Sequence, residues 1–330
     1  MHPVAALDEI AALLERERAS RYRSKAFRTA SAAIAGLTLA ELDDTAALRR
    51  RAGIGESTLR VIVQARAGTV PDYLAELRAL HGPPASTLRS LLRGDLHAHS
   101  DWSDGLTSIE LMVDAARALG HEYLALTDHS PRLRVARGLS AERLREQLTV
   151  VGGLSAPGFT LLSGIEVDIL EAGDLDQEPA LLGELDIVVA SAHSRLRMER
   201  RAMTRRLLRA VRDPHTDILG HVTGRLVSGT RGLRPPSEFD ADAVFAECAA
   251  RGVAVELNSR PEREDPPDEL IAVALAAGCV FAIDSDAHAP GQLALLAEGA
   301  ARAEAAGIPP ERIVNTWPLA RLREWTQRPR

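Results

Sequence analysis

Residues 91–330 are predicted to form an α/β domain whose parallel sheet is closed or nearly closed into a barrel, and residues 1–80 a small all-helical domain ahead of it. Three observations predict this. From residue 94 onward, seven short apolar runs alternate with amphipathic stretches, the order that parallel strands need for their crossovers. Before residue 80, apolar residues recur instead at spacings of three and four, the helical period. Six of the ten histidines stand just past the predicted strands, on the rim where barrels of this kind carry chemistry.

In the first domain the spacing predicts helices over Val4–Arg18, Ser24–Ala35, Leu39–Arg50, Ser57–Gln64 and Pro71–Leu80. The Gly- and Pro-rich segment His81-Gly82-Pro83-Pro84-Ala85-Ser86 breaks the pattern and opens a linker over 81–90. Strands are then expected at Gly94–Ala98, Tyr123–Thr127, Phe159–Ile165, Ile187–Ser191, Asp217–Gly220, Val253–Leu257 and Val280–Ile283. Between them, helices are expected at Ile109–Leu119, Ala141–Val151, Met198–Val211, Ala241–Ala250 and Glu269–Ala277. The first of these is expected to be capped by Thr107, with Glu110 three residues on.

Composition narrows the class. Two cysteines, Cys248 and Cys279, cannot form a disulfide framework and read as small buried hydrophobes of a reducing compartment. The charged first turns of Met1–Ser20 do not resemble a signal peptide, and no apolar run is long enough to span a bilayer. A cytoplasmic, monomeric protein with no membrane partner is expected. Net charge is −6, unevenly spread: residues 1–94 hold 14 basic and 10 acidic side chains, and the remainder 26 and 36. A basic module attached to an acidic, metal-binding one fits that asymmetry.

The strand ends carry the chemistry. In His97-Ala98-His99 the two imidazoles, two residues apart on a strand, face the same way and form a chelating pair. Asp104 follows on the next turn, and later strands end in Thr127-Asp128-His129-Ser130, Gly164-Ile165-Glu166, Ser191-Ala192-His193, Gly220-His221, Glu256-Leu257-Asn258 and Asp286-Ala287-His288. His97, His99, Asp104, His129, Glu166, His193, His221, Asp286 and His288 are thus nine nitrogen and oxygen donors on one rim. One ion takes fewer, so two or three are expected, and six imidazoles without a thiolate favour Zn, Mn or Fe over Ca or Mg. Clustered divalent ions suit phosphoester hydrolysis. His2, His81, His121 and His215 lie elsewhere and read as structural or exposed.

These motifs, with Arg93-Gly94-Asp95-Leu96-His97 and Gly220-His221-Val222-Thr223-Gly224-Arg225, resemble the polymerase and histidinol phosphatase (PHP) domain, and more narrowly the one that ends bacterial family X DNA polymerases. The likeness runs from about Leu91 to Trp325. It implies a distorted (β/α)7 barrel with three metals. His97, His99, Glu166 and Asp286 would hold the first, Glu166, His193 and His221 the second, and Asp104, His129 and His288 the third. Arg51-Ala52-Gly53-Ile54-Gly55-Glu56 resembles the hairpin of a helix-hairpin-helix module, whose backbone N–H groups meet a nucleic-acid phosphate. Gly53 and Gly55, with Arg51, Arg60 and Lys25 as cations, are the candidate DNA contacts. The palm, fingers and thumb of such polymerases have no counterpart here, so no polymerase activity is expected; nor is lyase chemistry, because Lys25, the chain's single lysine, lies away from the lyase position.

The resemblance leads to a metal-dependent phosphoesterase acting on DNA, as a 3'-5' exonuclease or 3'-end-processing enzyme. Arg132, Arg195, Arg225 and Arg260 are candidates to hold substrate phosphate, Arg225, Asp128 and Asn258 to assist catalysis, and Asp128 and Asp284 to orient ligand histidines. A small-molecule phosphatase of histidinol phosphatase type is the alternative, and a noncatalytic DNA-binding adaptor a third. An amidohydrolase barrel would commonly need a barrel lysine, which the chain lacks.

Overall fold

A computed structural model describes residues 1–17, 21–80, 86–228 and 232–327. Arg18, at the end of the first expected helix, and residues 81–85 of the expected linker, His81 among them, lie outside the described residues. The chain divides into two compact units, residues 1–83 with 289–292 and residues 84–288 with 293–330. Among the described residues no helix is long and apolar enough to cross a membrane.

The first unit holds helices Pro3–Arg16, Arg21–Ile34, Leu39–Asp43, Thr45–Arg50, Glu56–Arg66 and Asp72–Leu80. Pro3 occupies the first helical turn, where its missing N–H costs nothing. Ala6, Leu7, Ile10, Ala11 and Leu14 line one face of that helix and pack with Phe27, Ala30, Ile34, Leu59, Ile62 and Leu74. The expected helix Leu39–Arg50 is two helices. Asp44 ends the first at φ −80°, ψ 81°, and its carboxylate accepts the Ala47 N–H to begin the second. A short acceptor side chain that competes for backbone donors breaks helices in this way.

In the second unit, β1 (Gly94–Ala98), β2 (Tyr123–Leu126), β3 (Thr160–Asp168), β4 (Ile187–Ser191), β5 (Ile218–Leu219), β6 (Ala254–Asn258) and β7 (Phe281–Asp284) pair in that order, all parallel. An Ala98–Ala287 bridge, with the His99 N–H on Ala287 O at 2.7 Å, brings β7 back to β1, so the barrel is nearly closed. β3 is three residues longer at its end than the sequence indicates, and it serves both halves of the sheet. Its first residues, Thr160 to Ser163, pair with β2; Gly164 to Asp168 pair with β4. Gly164 stands at the change, where a Cβ would come within 2.8 Å of Ile187 O and 2.9 Å of Thr127 Cγ2.

Helices Ile109–Ala118, Ala141–Gly152, Arg200–Arg212, Ala241–Arg251 and Asp268–Ala276 follow their strands, within two residues of the expected limits at each end. The first has Ser108 rather than Thr107 at its N-cap position, with no side-chain cap hydrogen bond. Thr107 is held in the preceding loop, its carbonyl accepting the Asp101 N–H at 2.9 Å. Met203, Leu207, Val211, Phe245 and Ile271 pack against Val188, Ala190, Val255 and Ile283, each buried large side chain contributing about 1.5–3 kcal/mol. Beyond the last expected strand, Val314, Trp317, Leu322 and Trp325 form a further cluster with Leu96, Tyr123, Ile187 and Ala254.

Candidate metal centre

Strand parity places the first donors. His97, on β1, and His99, one residue past it, are wholly buried, and their Nε2 atoms lie 3.2 Å apart. The chain then turns tightly: at Gly105 a Cβ would sit 2.5 Å from the Ser100 backbone, so only glycine lets Asp104 swing back over the rim. β3 supplies Glu166, β7 is followed by Asp286 and His288, and the loops after β2, β4 and β5 supply His129, His193 and His221.

All nine predicted donors converge, and Glu166 sits among them. Its Oε2 lies 3.3 Å from His97 Nε2, 3.6 Å from His99 Nε2 and 2.9 Å from His129 Nδ1. Its Oε1 lies 3.2 Å from His193 Nε2 and 2.8 Å from His221 Nε2. Asp286 Oδ1 is 3.4 Å from His99 Nε2. Asp104 Oδ1 is 3.5 Å from His129 Nε2 and 3.3 Å from His288 Nε2. The inner donors are buried, whereas the Asp104 side chain is 37% exposed, so the centre opens on that side.

These separations fit metal ligation. Donors about 2.0–2.1 Å from a tetrahedral ion stand roughly 3.3–3.4 Å from one another. His129 Nδ1 is buried, close to Glu166 Oε2, and makes no hydrogen bond, as expected of two donors aimed at a common ion. Three groups with metal-holding spacing occur among the described residues: His99, Asp104, His129 and His288; His97, His99 and Glu166; and His129, Glu166 and His193. His99 and His129 each therefore belong to two groups, one more than the expected assignment gave them, and His221 and Asp286 fall in none of the three.

The charges point the same way. Burial alone would raise the Glu166 carboxyl, yet His193, His129 and His97 hold it well below the usual carboxylate range. Asp286 is likewise held low against burial by Arg260, His99 and Arg263. Burial, His288 and His129 push His99 down, leaving a neutral imidazole of the kind that binds metal. His193 and His97 go the other way, pushed up against their burial by the carboxylates they face, His193 to about 9 by Glu166 and Asp168 and His97 by Glu166 and Glu256.

The supporting residues differ from expectation. Asp128 orients no histidine among the described residues: it accepts from Ser100 N at 2.9 Å, Ser100 Oγ at 2.6 Å, Ser103 Oγ and Gln147 Nε2, fixing the loop that carries Asp104. Asp284 accepts from Leu96 N and Asn315 Nδ2, both at 3.1 Å, and so ties β1 to β7. Arg260 is 3% exposed and bonds Asp286 Oδ1 at 3.1 Å and Glu262 at 3.0 Å, so it braces a donor and does not face solvent. Arg225 donates to the Arg263 and Glu264 carbonyls and fastens that loop. Arg132 is exposed, and Arg195, also exposed, pairs with Glu171 at 3.1 Å. Asn258 Nδ2 reaches Asp286 Oδ2 at 3.1 Å and Glu256 Oε2 at 3.2 Å.

Glu256, Arg263 and Asp168 are additional. Glu256 Oε1 meets His97 Nδ1, Arg263 Nε lies 3.2 Å from Asp286 Oδ2, and Asp168 Oδ1 accepts the His193 N–H at 3.1 Å. For Glu256 a signal existed, since it is the one charged residue in the otherwise apolar run Ala254-Val255-Glu256-Leu257.

In the first unit, Gly53 has φ +88°, and a Cβ there would meet Thr29 Cγ2 at 2.7 Å. Gly55 has open space around it, and Arg51, Arg60 and Lys25 are exposed.

A parallel barrel whose strand ends gather imidazoles and carboxylates at these spacings defines a metal-dependent phosphoesterase. The PHP domain profile matches residues 95–260, half of the chain, and the chain belongs to that family. It is 41% identical over 199 residues to the DNA polymerase/3'-5' exonuclease PolX of Bacillus subtilis, a match that takes in 60% of this chain and 34% of that protein, so the chain spans about a third of its relative's length. It is 29% identical over 239 residues to a probable phosphatase of Shewanella sediminis, covering 69% of this chain and 91% of that one. Among solved structures, the histidinol phosphate phosphatase of Lactococcus lactis, in complex with zinc, L-histidinol and phosphate, is similar at 17% identity with a TM-score of 0.46, covering 66% of this chain and 94% of that one.

Proposed function

We propose that this protein hydrolyses DNA phosphodiester or 3'-terminal phosphate bonds, in the manner of a 3'-5' exonuclease or end-processing enzyme of DNA repair, with three divalent ions (Zn, Mn or Fe) and no polymerase activity. The observation that carries this reading is the cluster of His97, His99, Asp104, His129, Glu166, His193 and His288 at metal-holding spacing, with His221 and Asp286 beside it, inside a chain 41% identical, over 199 residues, to an exonuclease-bearing polymerase. Clustered divalent ions, when bound, lower the pKa of water and neutralise charge that builds on phosphorus. His97, His99, Glu166 and Asp286 would hold the first ion, Glu166, His193 and His221 the second, and Asp104, His129 and His288 the third. Asn258, Arg260 and Arg263 brace Asp286, and Glu256 fixes His97. Arg132, exposed on a loop beside the rim, is the cation that meets substrate phosphate, and Arg195 joins it on leaving Glu171. The helical unit, through Gly53, Gly55, Arg51, Arg60 and Lys25, holds the DNA backbone.

A phosphomonoesterase acting on a small ester is the second reading, favoured by the probable phosphatase that matches over 91% of its own length. Gapped duplexes labelled at the 3' or the 5' end, offered with Mn or Zn beside histidinol phosphate, separate the two. Stepwise shortening from the 3' end, lost in His99→Ala, supports the DNA reading. Intact DNA with phosphate released from the small ester moves the assignment to the second.

A further inference from the structure

Residues 195–212 hold eight arginines and one acidic residue, Glu199, in a domain whose remaining 95–330 positions hold 18 basic and 35 acidic side chains. The segment begins two residues after His193 and forms helix Arg200–Arg212, which starts at the rim that carries the donors, because helices in such barrels run antiparallel to their strands. Arg206 is the buried anchor of the run. Its guanidinium donates to the carbonyls of Ile169, Leu170 and Ser194, tying the helix to the loops after β3 and β4 beside His193.

The exposed arginines divide by partner: Arg195 pairs with Glu171 at 3.1 Å and Arg200 with Asp240 at 3.9 Å. Arg209 and Arg212, at the far end, are neutralised by Asp174 and by Glu247 at 2.9 Å. Arg197, Arg201 and Arg205, at the rim end, are exposed and make no salt bridge among the described residues. Glu199, the nearest acid in the sequence, gives both carboxylate oxygens to the Arg201 and Ala202 N–H groups at 3.0 and 3.2 Å, and meets Arg201 and Arg205 through its charge alone, without a salt bridge. Arg201 and Arg205 are one turn apart on the same face, about 6 Å along the axis, close to two steps of a DNA strand at roughly 3.4 Å each.

We propose that Arg197, Arg201 and Arg205 form a track for the sugar-phosphate backbone of duplex DNA, leading substrate to the metal centre across an otherwise acidic barrel. This rests on the DNA reading given above. The track supplies affinity and register without sequence preference, as phosphate contacts do.

The test measures binding of the metal-loaded full-length protein to a phosphorothioate-capped duplex with a recessed 3' end, by anisotropy over a range of salt. The R197A/R201A/R205A variant should bind at least about 10-fold more weakly at low salt, and its slope of log affinity against log salt should fall by about 2 to 3. R209A/R212A, which removes cations already neutralised, should change affinity less than about 2-fold. Hydrolysis of bis(p-nitrophenyl) phosphate, retained by the triple variant, distinguishes lost substrate capture from a lost metal centre. Wild-type affinity and slope in the triple variant, or equal weakening in the two variants, overturns the track while the DNA reading stands. A wild-type protein that neither binds nor shortens duplex, yet cleaves the small ester, overturns the DNA reading and the track with it.

Discussion

Glu256 and His97 face each other inside the barrel, Oε1 to Nδ1 at 2.5 Å, with neither side chain exposed. The same carboxylate accepts the His221 N–H at 2.5 Å through its other oxygen. One buried residue thus sets the ring orientation of one donor and the backbone position of another. Removing the charge should loosen both: Glu256→Gln should lose about 10- to 100-fold in metal affinity, measured by chelator competition. Wild-type affinity in that variant would reduce Glu256 to a packing residue.

Metal removal should destabilise the fold. Five imidazoles and two carboxylates stand at metal-holding spacing and would be satisfied by bound cations, and a ligand at about 100 times its dissociation constant adds about 2.7 kcal/mol. Chelation should therefore lower the urea midpoint of the barrel transition, and added Zn or Mn should restore it. An unchanged midpoint after verified metal loss would contradict this.

His121, two residues before β2 and outside the donor set, should make stability depend on pH. Burial, and then the Arg89 charge beside it, push it down to about 4, below the roughly 6.5 of an unfolded chain. Between those values the unfolded state binds more protons, so stability rises with pH there and is lost as pH falls from 6.5 toward 4. The shift corresponds to something on the order of 3 kcal/mol. Denaturation of wild type and His121→Asn across that window should show a steeper loss in the wild type; parallel curves would refute the assignment.

Gly164→Ala should act on both stability and the centre. The added Cβ meets two strands at once, overpacking that costs about 1–3 kcal/mol. Glu166, two residues on, should shift with it, so bound metal per chain should fall along with the denaturation midpoint. Full metal content at reduced stability would separate the two effects.

The convergence of these side chains was legible because all but Asp104 lie on a strand or within four residues of its end, where a short apolar run marks the place; Asp104, six residues past β1, is brought in by the turn at Gly105. What binds them together was less so. Asp44 divides a helix through one side-chain acceptor that outcompetes a continuous apolar period. Arg225 and Arg260 read as phosphate holders from their positions after strands, but one fastens a loop and the other braces Asp286, a choice set by partners distant in sequence. Thr107 gave way to Ser108 at the N-cap position because a hydrogen bond within the loop, from the Asp101 N–H, claims its carbonyl.

β3 pairs with β2 through its first half and with β4 through its second. Moving this strand by one residue would turn Glu166 away from the other donors and point its apolar neighbours at them, and the shift would have to be accepted by both partners together. Lengthening or shortening the loops on either side leaves that constraint untouched. The barrel can therefore vary its rim widely while β3 keeps a fixed count of residues between Gly164 and Glu166.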